Sequence, residues 1–144
     1  MSNISRRGFL GSALAVAASV ILPAAAEAVT WFRVANTSYF ALGKPRIVGL
    51  KIVSDTKAVL DKYGYPMAIY RTSAGVFSYY PQCTRDFRPL VVKRNKLYCP
   101  ICNSNFNPRT GGPISPAIAK KALRKYNVRI RNGQVQVALT RSGN

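Results

Sequence analysis

From residue 29 onward the chain is a series of short runs rich in β-branched and aromatic residues, each ended by a turn signal. Residues 29–34 (Val-Thr-Trp-Phe-Arg-Val) are dense in strand formers. Residues 47–53 hold Ile47, Val48, Leu50, Ile52 and Val53, interrupted by Gly49. Residues 67–71 and 76–80 are two strand-like runs joined by Thr72-Ser73-Ala74-Gly75, a connection suited to a hairpin. Residues 90–92 and 96–98 flank Arg94-Asn95 in the same way. Residues 128–131 and 134–138 flank Asn132-Gly133, the strongest short hairpin signal, because both turn residues tolerate positive φ. In that last pair Val128, Ile130, Val135, Val137 and Leu139 share one face. Arg129, Arg131, Gln134 and Gln136 share the other, which is the two-residue period of a half-buried strand.

Helical signal is weak. Residues 54–63 make room for about two turns with Ser54 or Asp55 as the cap. Residues 117–124 follow Pro116 and form a second short candidate. The pattern predicts an all-β domain of antiparallel hairpins, sandwich or barrel, with one or two short helices.

Residues 1–28 follow a different rule. Arg6 and Arg7 precede an apolar run from Phe9 to Leu22, Pro23 ends it, and Ala26-Glu27-Ala28 offers a small-residue cleavage site. Ser5-Arg6-Arg7-Gly8-Phe9-Leu10 fits the twin-arginine export pattern. The expected organisation is a signal peptide at 1–28, an N-terminal segment at 29–40 able to serve as an edge or donor strand, and a domain at 41–144. Export would carry the protein to the periplasm, the cell surface or the medium. An uncleaved signal would leave it anchored in the membrane.

Charge and composition narrow the chemistry. The 144 residues hold 22 Lys and Arg, 4 Asp and Glu, and no histidine, for a net charge of +18. Without imidazole there is no Ser-His or Cys-His nucleophile and no His-ligated zinc or haem. So few carboxylates leave little scope for glycosidase or two-metal chemistry. Cleavage after Ala28 removes Arg6, Arg7 and Glu27 and leaves a domain of +17. Three cysteines, Cys83, Cys99 and Cys102, are spaced C-x15-C-x2-C. Cys99-Pro100-Ile101-Cys102 alone is compatible with a redox pair, half of a metal site, or two buried thiols.

The surroundings of the cysteines are more specific. Cys83-Thr84-Arg85 followed by Pro89-Leu90, then Cys99-Pro100-Ile101-Cys102-Asn103-Ser104-Asn105-Phe106-Asn107, then Gly112-Pro113 and Pro116, resembles the Rieske iron–sulfur domain family. Its two boxes read C-T-H-x-G-C-x-L and C-P-C-H-G-S-x-F-D and are followed by a proline-bearing loop. The resemblance spans roughly residues 40–139. It implies a Rieske-like β sandwich or barrel with a small cluster-binding subdomain, a [2Fe–2S] cofactor and electron transfer. It also implies that Cys83 and Cys99 are ligands, that Ser104 hydrogen-bonds a bridging sulfide, and that Gly112 and Pro113 belong to the loop covering the cluster.

The departures fall on the ligands. Arg85 and Cys102 stand where the family has its two histidines, and a guanidinium, which keeps its proton and offers no lone pair, is a poor ligand. Arg88 and Ile101 occupy the family's optional disulfide positions. A standard Rieske centre, with imidazoles on one iron, cannot form. Three readings stay open. Cys83, Cys99 and Cys102 hold an atypical [2Fe–2S] cluster, with a fourth ligand from elsewhere. Or Cys83 and Cys99, close together as ligands of one iron are, form a disulfide in a metal-free site. Or the cysteines are buried small hydrophobes.

The cationic residues are densest at 93–96 and 120–131. Nucleic acid is the usual partner of such charge, and an export signal argues against it. An acidic redox protein, a membrane complex or an anionic surface fits better. The aromatic N-terminal segment (Trp31, Phe32, Tyr39, Phe40) offers a strand for a homo- or hetero-oligomer. Two functions are consistent with these features: an exported Rieske-like electron carrier, acting as a redox carrier or oxidoreductase subunit, or a cluster-free binding or structural subunit that docks through its basic face.

Overall fold

The computed structural model describes residues 29–55 and 57–139; the expected signal at 1–28 and Arg141 lie outside them. Among the described residues eleven strands form two sheets. They are β1 (Trp31–Asn36), β2 (Arg46–Ile52), β3 (Ala58–Leu60), β4 (Tyr65–Thr72), β5 (Gly75–Tyr79), β6 (Val91–Lys93), β7 (Lys96–Tyr98), β8 (Asn105–Phe106), β9 (Pro113–Ile114), β10 (Lys125–Arg131) and β11 (Gln134–Ala138). The larger sheet runs β1-β11-β10-β5-β4-β2-β3 and is antiparallel throughout. Its edge strands β1 and β3 come into contact, so the sheet curls into a nearly closed barrel. The smaller sheet, β6-β7-β8-β9, is inserted between β5 and β10.

The hairpins form where turn chemistry predicts them. Arg94 (φ 50°) with Asn95 (φ 59°), and Asn132 (φ 52°) with Gly133 (φ 69°), make two-residue turns with both central residues left-handed. That twist matches the flanking strands. The β4–β5 connection is tighter than expected: Thr72 pairs with Gly75, so only Ser73 and Ala74 are unpaired. β1 pairs with β11, from Trp31 opposite Ala138 to Asn36 opposite Gln134, and is an edge strand of the chain's own sheet.

Neither predicted helix forms. Within 54–63 the chain instead makes β3, whose Ala58, Val59 and Leu60 pair with Ile52, Lys51 and Leu50. Two helical turns are marginal on their own, and the open edge of β2 offers β-branched and aliphatic residues a ladder. Gly64 makes the approach feasible: a Cβ there would lie 2.5 Å from the Leu50 backbone. In 117–124 the backbone groups are committed to other segments. Ala119 N–H donates to Ser104 Oγ and Leu123 N–H to the Gly111 carbonyl, while the Arg124 carbonyl accepts from Tyr80 N–H. A helix would take the Leu123 N–H from Gly111 to the Ala119 carbonyl, while the Ala119 N–H and the Arg124 carbonyl, which a helix's first and last turns leave unpaired, are held here by other segments. Among the described residues the helical structure is one 3-10 turn, Thr37–Tyr39.

Two apolar clusters result. One fills the barrel with Phe32, Val34, Phe40, Val48, Leu50, Met67, Ile69, Val135 and Val137. The other lies between the barrel wall and the small sheet and holds Leu90, Leu97, Phe106, Ala119 and Leu123 together with all three cysteines.

Candidate metal centre

Two loops present the cysteines. Cys83 lies between β5 and β6; Cys99 and Cys102 lie between β7 and β8. The two loops close by the same hydrogen bonds. Cys83 N–H donates to the Arg88 carbonyl, and the Cys83 carbonyl accepts from Phe87 N–H, each 2.9 Å. Cys99 N–H donates to the Ser104 carbonyl, and the Cys99 carbonyl accepts from Asn103 N–H, again 2.9 Å. In each loop the residue four places after the cysteine is left-handed: Phe87 at φ 54° and Asn103 at φ 61°. Asparagine tolerates that region, and Tyr98 OH further holds Asn103 by donating to its Oδ1. Phenylalanine does not tolerate it, so the first loop carries backbone strain.

Residues three places after each cysteine therefore occupy equivalent positions, and they are Asp86 and Cys102. Sγ of Cys83, Cys99 and Cys102 and a carboxylate oxygen of Asp86 all lie within 4.8 Å of one another. Cys83 Sγ is 3.7 Å from Cys102 Sγ, and Cys99 Sγ is 3.8 Å from Asp86 Oδ2. Cys83 and Cys99 are fully buried, Cys102 is 8% exposed, and all three are free thiols.

Ser104 supports the group from behind. Its buried Oγ accepts from Ala119 N–H at 3.1 Å and is 3.1 Å from Cys102 Sγ. It would donate to Cys102 as a thiolate. Thr84 Oγ1 donates to the Lys121 carbonyl at 2.8 Å, so the 117–123 segment is tied to both cysteine loops. Gly112 and Pro113 build the β8–β9 hairpin: the Gly112 carbonyl accepts from Asn107 N–H, and Pro113 pairs with Phe106. Within that hairpin Gly111 (φ 72°) packs on the Tyr79 ring, whose hydroxyl donates to the Arg109 carbonyl at 2.6 Å. Burial raises the pKa of Tyr79 above the usual phenolic value.

Of the residues singled out from sequence, Cys83, Cys99, Cys102 and Ser104 converge. Arg85 is exposed on the first loop. Asp86 was not among them. Its signal was its rarity, as one of three acidic residues after position 28, and its place three residues past Cys83 in the first box.

The donor set suits the [2Fe–2S] group of the resembling family in its atoms but not in its spacing. Three thiolates suit iron, and a carboxylate completes the count of four. The spacing does not suit a binuclear group. With metal–sulfur bonds of about 2.3 Å and tetrahedral angles, doubly bridged irons stand about 2.7 Å apart, and their terminal ligands about 5 Å or more apart across the pair. All four donor atoms here are closer than that.

No protein-family model matches the chain, and neither does any curated sequence. Solved structures do match. The ferredoxin of carbazole 1,9a-dioxygenase from Nocardioides aromaticivorans IC177 has TM-score 0.54 and 21% identity over 77% of this chain and 99% of its own. A ferredoxin of Sphingomonas yanoikuyae B1 has TM-score 0.52 and 18% identity over 75% and 97%. The terminal oxygenase of carbazole 1,9a-dioxygenase from Novosphingobium sp. KA1 has TM-score 0.53 and 18% identity over 75% of this chain and 29% of its own. The fold is the one these proteins share: a Rieske-like all-β barrel carrying a small second sheet, as the sequence led us to expect apart from the short helices.

Proposed function

We propose that this protein is an exported one-electron carrier whose redox centre is a metal held by Cys83, Cys99 and Cys102. The observation that carries the reading is the convergence of three buried thiols from two separate loops, on the fold of ferredoxins. Buried sulfur ligands exclude water and keep the centre from exchanging its metal or reacting with oxidants. Cys102 is the least buried of the three, and exposed Ile101 stands beside it as a route to a partner. Arg85 and Arg88 on the first loop, Lys93, Arg94 and Lys96 on the β6–β7 hairpin, and Lys120 and Lys121 on the covering segment put positive charge around that route. Such a surface selects an acidic redox protein and speeds its docking. The arginine pair and apolar run at 1–28 support export by the twin-arginine route, which carries folded proteins.

The test is metal analysis and redox titration of protein made in its own host. A stoichiometric metal that cycles reversibly between two states is the expected result. Folded protein with no redox-active metal refutes the carrier and favours a cluster-free docking subunit.

A further inference from the structure

Resting on the reading of this site as a metal centre, we infer that its occupant is a single tetrahedral ion held by Cys83, Asp86, Cys99 and Cys102. Two observations carry this. The first is spacing. A tetrahedral ion with metal–sulfur bonds of about 2.3 Å sets its ligand atoms about 3.8 Å apart. The measured approaches are 3.7 Å for Cys83–Cys102 and 3.8 Å for Cys99–Asp86, with every pair inside 4.8 Å.

The second is the matched backbone of the loops. Each is a knuckle of the form Cys-x-x-ligand, Cys83-Thr84-Arg85-Asp86 and Cys99-Pro100-Ile101-Cys102. Each is closed by the same two hydrogen bonds and by a left-handed fourth residue. Two such knuckles facing each other deliver four ligands to one point, the arrangement of tetrahedral structural sites. In the resembling family's first box the second ligand comes two residues after the cysteine, where this chain has Arg85. Here the ligand has moved one place on, to Asp86, and that move makes the loops equivalent.

Charge agrees with the geometry. Three thiolates and a carboxylate carry four negative charges. A ferric ion leaves one uncompensated, whereas an oxidised binuclear core leaves two. In a site where Cys83 and Cys99 are fully buried, the smaller residual charge costs less desolvation. Iron is the ion that also satisfies the electron-carrier reading; zinc satisfies the geometry alone.

The experiment has two arms on the full chain. Protein purified from its own host without oxygen is analysed for iron, zinc and acid-labile sulfide. One metal ion per chain and no labile sulfide is expected. Two irons with two labile sulfides overturn the inference while leaving the carrier intact. One zinc, redox-silent, upholds the single-ion site and refutes the carrier. In the second arm, metal-free protein is titrated with cobalt(II) alone. Thiolate-to-cobalt charge transfer and tetrahedral ligand-field bands should saturate at one equivalent. Asp86→Asn should weaken binding by more than the roughly 10–100-fold cost of losing an outer partner, and Asp86→Cys should restore it. An end point of two equivalents, or an unchanged affinity in Asp86→Asn, overturns the inference. Circular dichroism of each metal-free variant shows that the barrel is intact.

Discussion

Two serines among the described residues are completely buried, and deleting the same oxygen from each should have opposite effects. Ser104 Oγ accepts the Ala119 amide at 3.1 Å and touches Cys102 Sγ. Ser78 Oγ, next to the end of β5, has no hydrogen-bond partner among the described residues. In Ser104→Ala the Ala119 amide becomes a buried donor without an acceptor, at a cost of about 1–3 kcal/mol. In Ser78→Ala a buried hydroxyl that already forfeits its solvation is removed, so stability should be unchanged or rise by up to about 1 kcal/mol. For a domain of this size those values correspond to a melting point about 4–12 °C lower for Ser104→Ala and level or a few degrees higher for Ser78→Ala. Urea titration of the metal-free protein, followed by tryptophan fluorescence, gives both differences without involving the metal. Equal losses in the two variants, or a loss only in Ser78→Ala, would refute the assignment of Ser104 as the anchor of the covering segment.

Four more outcomes follow from other features. Phe87→Gly should stabilise the metal-free protein by about 1 kcal/mol, because an exposed aromatic residue is held at φ 54°; a destabilisation on denaturant titration would show that the ring does work not visible here. Gly111→Ala should cost about 1–3 kcal/mol by the same assay, since φ is 72° and the added Cβ would sit 2.5 Å from the Tyr79 ring. Burial raises the folded-state pKa of Tyr79 and of Tyr126, the latter also through Tyr80 and against Arg124. Their contribution is therefore full below about pH 10 and is lost as pH climbs through the raised values; the denaturation midpoint should fall there, and less steeply in Tyr126→Phe. Electron transfer from an acidic protein donor should slow about 10-fold or more between low and high salt, while a neutral small-molecule reductant should show little change in stopped-flow rates.

What the sequence could show was what is local. Asn132-Gly133 and Arg94-Asn95 each specify a hairpin within a few residues, and those hairpins form. Residues 54–63 instead fold back on the neighbouring edge of β2, Ile52 opposite Ala58 and Leu50 opposite Leu60, in a hairpin that no Asn-Gly-type turn announces in the sequence. Residues 117–124 gave the Leu123 N–H, a helix's own donor, to the distant Gly111 carbonyl. At the site, cysteine spacing and box order pointed to three cysteines that the fold does bring together. Asp86 stayed hidden because the comparison with the histidine pattern directed attention to Arg85, one residue earlier. Only the hydrogen bonds of the folded loop put the residue after Arg85, and not Arg85 itself, opposite Cys102.

That one-residue displacement connects the composition to the chemistry. Losing histidine removes the neutral ligands that raise a Rieske potential, and replacing them with thiolate and carboxylate makes every donor anionic. A centre of that kind favours the oxidised ion, and left in a neutral protein it would sit at low potential. This chain is strongly cationic, with Arg85 and Arg88 within the first knuckle's own loop. Positive charge close to the centre favours the reduced state and offsets part of that shift, an effect that decays with added salt. Arg85 thus has a use at the position where it cannot serve as a ligand. It is exposed and bears the charge, while its neighbour Asp86 turns inward to the sulfurs. In the proposed single-ion centre, the field that would tune the ion is the one an acidic partner would encounter first, so potential and docking should respond together when these arginines are neutralised.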